Sequence, residues 1–407
     1  MSIDNLLDST TPPIALRSSE LEDLIAAIAS GAAERARLDQ SPFDQIELIR
    51  QFRLGTVTLP LDEGGHGVSV RELLSLVIDL AEADPNVAHI LRAHFWQVNE
   101  ILRLPASPQR NAWLEEIRSG KIFGNASSEK GNRAAGASSF ATALTRSGQD
   151  FILNGEKFYS TGSLFSDWLA VSAQVDESTI ASVIIPSDRD GVTIVDDWDG
   201  IGQNRTGTGT TVFDNVVVHP NEVITLRSTS DITPRPSDGA LLQLYLQAIV
   251  TGILRNVVTD AIGLIHSRAR TFSHALAEQP AQDPILQHVI GKIASTTYVA
   301  EAAVLTAADA IDAAYRSERE GNPDSALFTA ASLAAAKVKI HVDEVGLASA
   351  TALFEVGGAS AATRSKNLDR HWRNIRTLTL HNPTSYKAVA VGNTTINDAT
   401  LPLNGYF

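Results

Sequence analysis

Cysteine is absent from all 407 residues, and methionine occurs once. A chain without a thiol forms no disulfide framework, no thiolate-ligated zinc or iron–sulfur centre and no cysteine nucleophile. Basic residues are also scarce, 33 Lys and Arg against 47 Asp and Glu, for a formal charge of −14. A field of that sign repels phosphate backbones, so nucleic acid is not an expected partner. The longest uncharged stretch with helical character, residues 239–254, is broken by glutamines and falls short of a bilayer span, so no membrane association is expected. The opening MSIDNLLDSTTPP has no basic stretch followed by an apolar one. No secretory signal is expected there, and the expected location is cytoplasmic. P-loop, HExxH and GxSxG patterns are missing, and no metal site is expected.

What is present is ordinary globular material, 43% hydrophobic and 20% charged. A chain of this length divides into two or three domains. Residues 18–119 read as helices, with Ser18 and Ser19 as caps and apolar residues three and four apart. From residue 121 to about 226 the period changes to two, with turn chemistry at Ser147-Gly148 and Asn154-Gly155. That predicts an antiparallel sheet or small barrel. From Ala240 onward long Ala-rich segments return to helical spacing, as in a bundle whose helices pack on several sides. The fold class is therefore α+β, with an all-helical domain over 1–120, a β-barrel or sandwich over 121–230 and a helical bundle over 231–407. This order contradicts the strand–helix alternation of a dinucleotide-binding fold.

Three clusters are richer in polar side chains than structural turns require. They are Gly124-Asn125-Ala126-Ser127-Ser128-Glu129, then Phe158-Tyr159-Ser160-Thr161-Gly162-Ser163, and then Arg370-His371-Trp372-Arg373-Asn374 with His381-Asn382-Pro383 beyond it. Small hydroxyl and amide side chains interleaved with glycine suit a flat ring hydrogen-bonded along its edge, although turn capping uses the same residues. The Gly-rich run at 62–67 lies between helices and reads as a turn, and the GxG spacing within 200–211 runs into a strand rather than a helix.

In order and spacing, these blocks resemble the acyl-CoA dehydrogenase superfamily. The resembling text is GNASSE at 124–129, LNGEKFYSTGSLFSD at 153–167, DDWDGIG at 196–202, FDNVVVHPNEV at 213–223 and DRHWRNIRTLTLHNPTSYK at 369–387. In detail the chain is similar to the flavin-dependent monooxygenase branch, the dibenzothiophene monooxygenases in particular. One position separates the branches. Where many of the dehydrogenases carry a glutamate base, this chain has Asn382, and the earlier helix region at 241–253, which serves some relatives, has no acid. An amide takes no proton at neutral pH, which disfavours α,β-dehydrogenation.

The resemblance implies the oxygenase half of a two-component monooxygenase. Reduced FMN, or alternatively FAD, would come from a separate NAD(P)H:flavin reductase and react with O2 to a C4a-hydroperoxyflavin. The substrate would be a small organosulfur, aromatic or indole-like, or amine compound. The alternatives are an acyl-CoA dehydrogenase-like FAD enzyme with a displaced base and a scaffold that has lost its flavin. The resemblance assigns catalytic roles to His381, Asn125, Thr161 and His89. It assigns flavin contacts to Asn125, Ser127, Ser128, Ser160, Thr161, Trp198, Gly357 and Gly358. His89 and His94, five apart, cannot share one helix face, so one of them is expected to pack. Ser273 and Ser360 stand where relatives hold the flavin phosphate with arginine, leaving Arg268, Arg270 or Arg364 as substitutes. Ala93 replaces a bulky ring, which implies a substrate pocket of different shape. The family also implies a homotetramer.

Overall fold

The computed structural model describes residues 13–131, 139–229, 236–268 and 271–402. The first helices are α1 (Ser19–Ala29), α2 (Ala32–Leu38), α3 (Phe43–Gln51), α4 (Val70–Ala83), α5 (Pro85–Leu102) and α6 (Pro108–Arg118). Their starts are fixed by side-chain caps. Ser18 accepts from Leu21 N–H, Ser69 and Glu72 form a reciprocal capping box, and Ser107 opens α6 ahead of its proline. Asp84 ends α4 and caps α5, so the two helices join through one residue.

Eight strands follow: β1 (Phe123–Ala126), β2 (Ala143–Ser147), β3 (Asp150–Lys157), β4 (Trp168–Asp176), β5 (Thr179–Pro186), β6 (Val192–Val195), β7 (Thr210–Val218) and β8 (Val223–Ser228). They form one sheet of order β6-β7-β3-β2-β4-β5-β8, with β1 also on β4. The sheet is mixed, which corrects the expected antiparallel arrangement. β1 runs parallel to β4 from Phe123 opposite Trp168, and β2 touches β4 in the same sense. Alternation along a strand reveals which face is buried, not the direction of the partner. Here β1 reaches β4 only after the β2–β3 hairpin has intervened, a connection long enough for parallel pairing.

The bundle comprises α7 (Pro236–Ser267), α8 (Pro284–Arg319), α9 (Ser325–Gly357), α10 (Asp369–Thr379) and α11 (Thr384–Asn397). Among the described residues α7 and α9 are long and apolar enough to cross a bilayer by length and composition alone. This corrects the shorter run expected for the α7 region, because the apolar text continues past Leu254 to Ser267. α7 is instead mostly buried among α4, α8 and α9. A β-carbon on Gly252 would lie 2.4 Å from the Ile78 carbonyl, so glycine lets α7 press directly on α4. One continuous apolar core joins these helices to α1, α3 and α5. Leu59, Val98, Trp113, Phe123 and Ile184 then fasten α5 and α6 to the sheet. α5 is thereby held over β1, between sheet and bundle.

Candidate active site

Where α5, the end of β1, the loop after β6 and the end of α10 converge lies a cavity of roughly 990 Å³. A single drug-sized ligand occupies a pocket of about 300–1,000 Å³, so the space suits a large cofactor beside a small molecule. A side pocket of about 230 Å³ shares Arg92, Asn125, Thr161 and His381 with it and adds Ala93 and Trp96. His89, Arg92, Ala93 and Trp96 stand at i, i+3, i+4 and i+7, which puts them on one face of α5.

Backbone hydrogen bonds knit the first two polar clusters to the loop after β6. Asn125 N–H donates to Thr161 O at 3.4 Å and Phe158 N–H to Ser128 O at 2.8 Å. Ser160 N–H donates to Gly209 O at 3.2 Å, and Gly162 N–H to Thr206 O at 2.9 Å. The loop in turn is clamped by α10, where Asn374 Oδ1 accepts from Gln203 N–H at 2.8 Å and Arg373 Nη1 donates to Ile201 O at 3.1 Å.

Of the expected site residues, the cavity brings together His89, Asn125, Ser127, Ser128, Thr161, Trp198 and His381. Ser160 does not line it. Its side chain is fully buried, and its backbone instead closes the loop onto Gly209. Gly357 and Gly358 do not line it either. Gly358, at φ 58°, caps the C-terminus of α9 and donates to Phe354 O, as glycine does where a helix must turn out. Arg268 donates to Val356 O at 2.7 Å beside that cap, and Arg364 is exposed. Arg270 lies outside the described residues. From the third cluster, Arg370 and His371 grip Asp260 at 2.6 and 2.7 Å and serve to hold α10 on α7.

The two α5 histidines divide as their spacing requires. His94 is fully buried, donating from Nε2 to Gly55 O at 3.0 Å and accepting from Phe123 N–H at 3.4 Å. Burial pushes its pKa down to about 4, so it packs as a neutral ring. His89 donates from Nδ1 to Gln203 Oε1 at 3.0 Å, which leaves Nε2 as the acceptor of the ring. Burial and then the Arg92 charge lower its pKa to about 3. His381 is open to the cavity yet enclosed by protein. That enclosure, then the positive charges of Arg92, Lys339 and Lys387, hold it well below the ordinary imidazole value. At neutral pH both cavity histidines are uncharged.

Among the described residues lining the cavity, the one carboxylate is Glu129. Its oxygens accept from Ala141 N–H at 2.7 Å, Thr142 N–H at 2.9 Å and the buried Lys157 ammonium at 2.7 Å. Burial would raise its pKa, but these donors outweigh it and hold the group at about 2. Such a carboxylate fastens a loop and takes no proton near neutrality.

Several contributors are hidden in the sequence. Gln203, Thr208, Arg92 and Lys130 bear on the cavity or its walls, as does Tyr159 of the second polar cluster. Tyr159 adopts φ 55° and meets Trp198 edge-on at 5.7 Å between ring centres, so the two form one aromatic wall. Trp198 Nε1 donates to Gln203 O at 2.9 Å. For Gln203 and Thr208 the one signal is the Gly- and Thr-rich run at 200–211, whose GxG spacing leads into a strand.

A helical domain, a central sheet and a helical bundle around a polar-edged cavity of this size define the architecture of acyl-CoA dehydrogenase-like flavoenzymes. Residues 124–216 match the middle domain of acyl-CoA dehydrogenase and residues 244–386 its C-terminal domain. The dibenzothiophene monooxygenase of Mycolicibacterium goodii is 30% identical over 385 residues, covering 92% of this chain and 91% of that protein. A probable FMNH2-dependent monooxygenase, SfnC, of Pseudomonas putida is 28% identical, covering 92% of this chain and 93% of its own. FMN-bound TdsC from Paenibacillus sp. A11-2 superposes with a TM-score of 0.87 at 27% identity, covering 95% of this chain and 98% of TdsC. The chain belongs to the acyl-CoA dehydrogenase family, on the branch that holds the FMN-dependent monooxygenases.

Proposed function

We propose that the chain is the oxygenase component of a two-component monooxygenase that uses reduced FMN and O2 on a small organosulfur or aromatic, indole-like substrate. The observation that carries this reading is the electrostatics of the cavity. Glu129 is locked as an anion by Lys157 and two backbone N–H groups, while His89 and His381 face the same space uncharged. Proton abstraction next to a thioester needs a carboxylate base that is ready to accept, and none lines this cavity among the described residues. Oxygen transfer to a soft nucleophile needs none.

The donor set suits a flavin. Asn125 offers an amide, Ser127, Ser128 and Thr161 offer hydroxyls, and Trp198 with Tyr159 offers an aromatic wall, which together match a flat ring with a polar edge. When bound, reduced FMN supplies the electrons and the activated oxygen. The chain's own residues bind, orient and exclude water. Asn125 and Thr161 would hold the ring edge, Leu246, Leu378 and Leu380 would exclude water, and Lys130 and Arg92 would supply positive charge to an anionic cofactor. His381 holds a neutral donor in the cavity. His89, oriented by Gln203, offers Nε2 to a substrate N–H or O–H proton.

A separate reductase belongs to the same proposal, as does a tetramer. Tyr298 on α8 and Tyr386, Val389 and Ile396 on α11 are exposed, large side chains on two helices that further copies of the chain would cover. A cytoplasmic location is proposed on the need for a reductase close by. The test is to mix anaerobic protein and reduced FMN with oxygenated buffer and follow the flavin absorbance. The expected result is a delay in the return of oxidised flavin relative to protein-free buffer, shortened in His381→Ala. Return at the protein-free rate would refute the reading.

A further inference from the structure

Three threonine hydroxyls form a chain whose direction is fixed by its far end. Thr206 Oγ1 lies 2.8 Å from Gln203 O, and a carbonyl only accepts, so Thr206 donates there. The same carbonyl already accepts from Trp198 Nε1, which fills both of its lone pairs. Thr208 Oγ1 lies 2.6 Å from Thr206 Oγ1, whose one proton is spent, so Thr208 is the donor. Thr161 Oγ1 lies 2.9 Å from Thr208 Oγ1, and by the same count Thr161 donates to Thr208. Thr206 and Thr208 are buried, and of the two only Thr208 borders the cavity, with its one proton already committed to Thr206. Thr161 lines the cavity with its proton turned away from it, so its oxygen can only accept.

We infer that this hydroxyl chain selects the redox state of the bound flavin. A reduced flavin carries N5–H, a donor that an accept-only oxygen satisfies. An oxidised flavin presents N5 as a bare acceptor, so two lone pairs would face each other. The chain Thr161–Thr208–Thr206–Gln203 therefore favours the reduced cofactor and helps to expel the oxidised one after turnover. A component that must collect reduced flavin from elsewhere and return it oxidised needs that polarity. The inference rests on the reading of the cavity as a reduced-flavin site whose ring would set N5 against Thr161 Oγ1, the hydroxyl of the chain that ends in the cavity.

The test is the affinity of the whole protein for oxidised FMN and, anaerobically, for reduced FMN, each by equilibrium dialysis. The wild type is expected to bind the reduced form at least about tenfold more tightly, the scale of one hydrogen bond made against one opposed. In Thr206→Val the end of the chain is lost. Thr208 can then turn its proton toward Thr161, and Thr161 is free to donate into the cavity. Oxidised FMN is expected to bind about tenfold more tightly than to the wild type, while reduced FMN gains nothing. Thr208→Val, which cuts the chain one link earlier, is expected to act the same way and guards against a folding defect peculiar to one variant. Reduced 5-deazaFMN, with carbon in place of N5, is expected to lose the preference in the wild type. If the valine variants shift both affinities by one common factor, the hydroxyls are merely structural and the inference falls. If the wild type binds neither form of FMN, the flavin reading itself falls and the inference with it.

Discussion

Asn382 donates from Nδ2 to Gln243 Oε1 at 2.7 Å, an amide-to-amide bond between the turn after α10 and α7. Both residues are buried. They occupy the two regions in which the family's dehydrogenases carry a carboxylate base, and here those regions are spent on each other. Protein loaded with oxidised FMN or FAD and mixed anaerobically with saturated acyl-CoA thioesters is therefore expected to keep its oxidised spectrum. Bleaching of the flavin band on mixing would show that a base acts from elsewhere.

Glu129→Gln separates the structural role of the cavity carboxylate from a catalytic one. Lys157 is fully buried, with Glu129 at 2.7 Å and Ser127 O at 3.2 Å. Removing the negative charge leaves a buried ammonium without its counterion, which costs about 3–5 kcal/mol. Urea denaturation of the variant is expected to show that loss, and Glu129→Gln with Lys157→Met is expected to regain most of it. A single variant as stable as the parent would mean that water reaches Lys157.

The α5 histidines are separable by helix geometry alone, because residues five apart diverge around the helix. The partner of each is not legible in the sequence. Gln203 lies 114 residues beyond His89 in a Gly-rich loop that leads into a strand, and no spacing rule connects the two. Asn125, Thr161 and His381 are legible because they sit in dense polar blocks beside strand and helix ends. Ser160 belongs to the same block yet points into the protein, since a tight turn sends neighbouring side chains in opposite directions and the pattern does not say which. The α+β order is legible from the change of period, whereas the parallel pairing of β1 with β4 depends on contacts that alternation does not encode.

Gly55→Ala tests the packing role of His94. A β-carbon at residue 55 would lie 2.3 Å from His94 Nε2, inside the distance that a ring nitrogen tolerates. The ring cannot retreat without surrendering its bonds to Gly55 O and Phe123 N–H. A loss of about 1–3 kcal/mol is expected in denaturant titration, the usual scale for overpacking a tight core. Wild-type stability in this variant would show that α5 can shift.

Gln203→Leu removes the acceptor that fixes His89 while keeping the volume. The imidazole then loses the bond at Nδ1 that sets its tautomer and orientation. If His89 Nε2 accepts a hydrogen bond that orients the substrate, kcat/KM is expected to fall about tenfold, the scale of one lost hydrogen bond. The fall should be marked for indole-like or phenolic compounds and small for thioethers, which have no N–H or O–H to donate. Equal losses for both substrate classes would assign Gln203 to the loop alone, through its bonds to Trp198 and Asn374.

Acid should weaken the fold earlier than its carboxylates alone would predict. His94 and His371 are buried, and burial holds each at about 4 against an ordinary value of 6.5. His89 lies lower, at about 3. A folded-state pKa below the unfolded one means that the unfolded chain binds the proton first. Between about pH 6.5 and 4 the unfolded state carries more protons, so stability falls as pH falls, by about 1.4 kcal/mol per unit for each such histidine. Glu129, at about 2, starts to contribute its own loss only once the pH enters the ordinary carboxylate range. The urea midpoint is therefore expected to drop steeply from pH 7 to pH 5, before the carboxylates titrate. Replacing His94 by Asn, which carries no titrating group, should make that slope shallower by about one histidine's share. A midpoint that stays level down to pH 5 would mean that these rings are protonated in the folded protein, and the neutral character assigned to His89 would then have to be withdrawn with them.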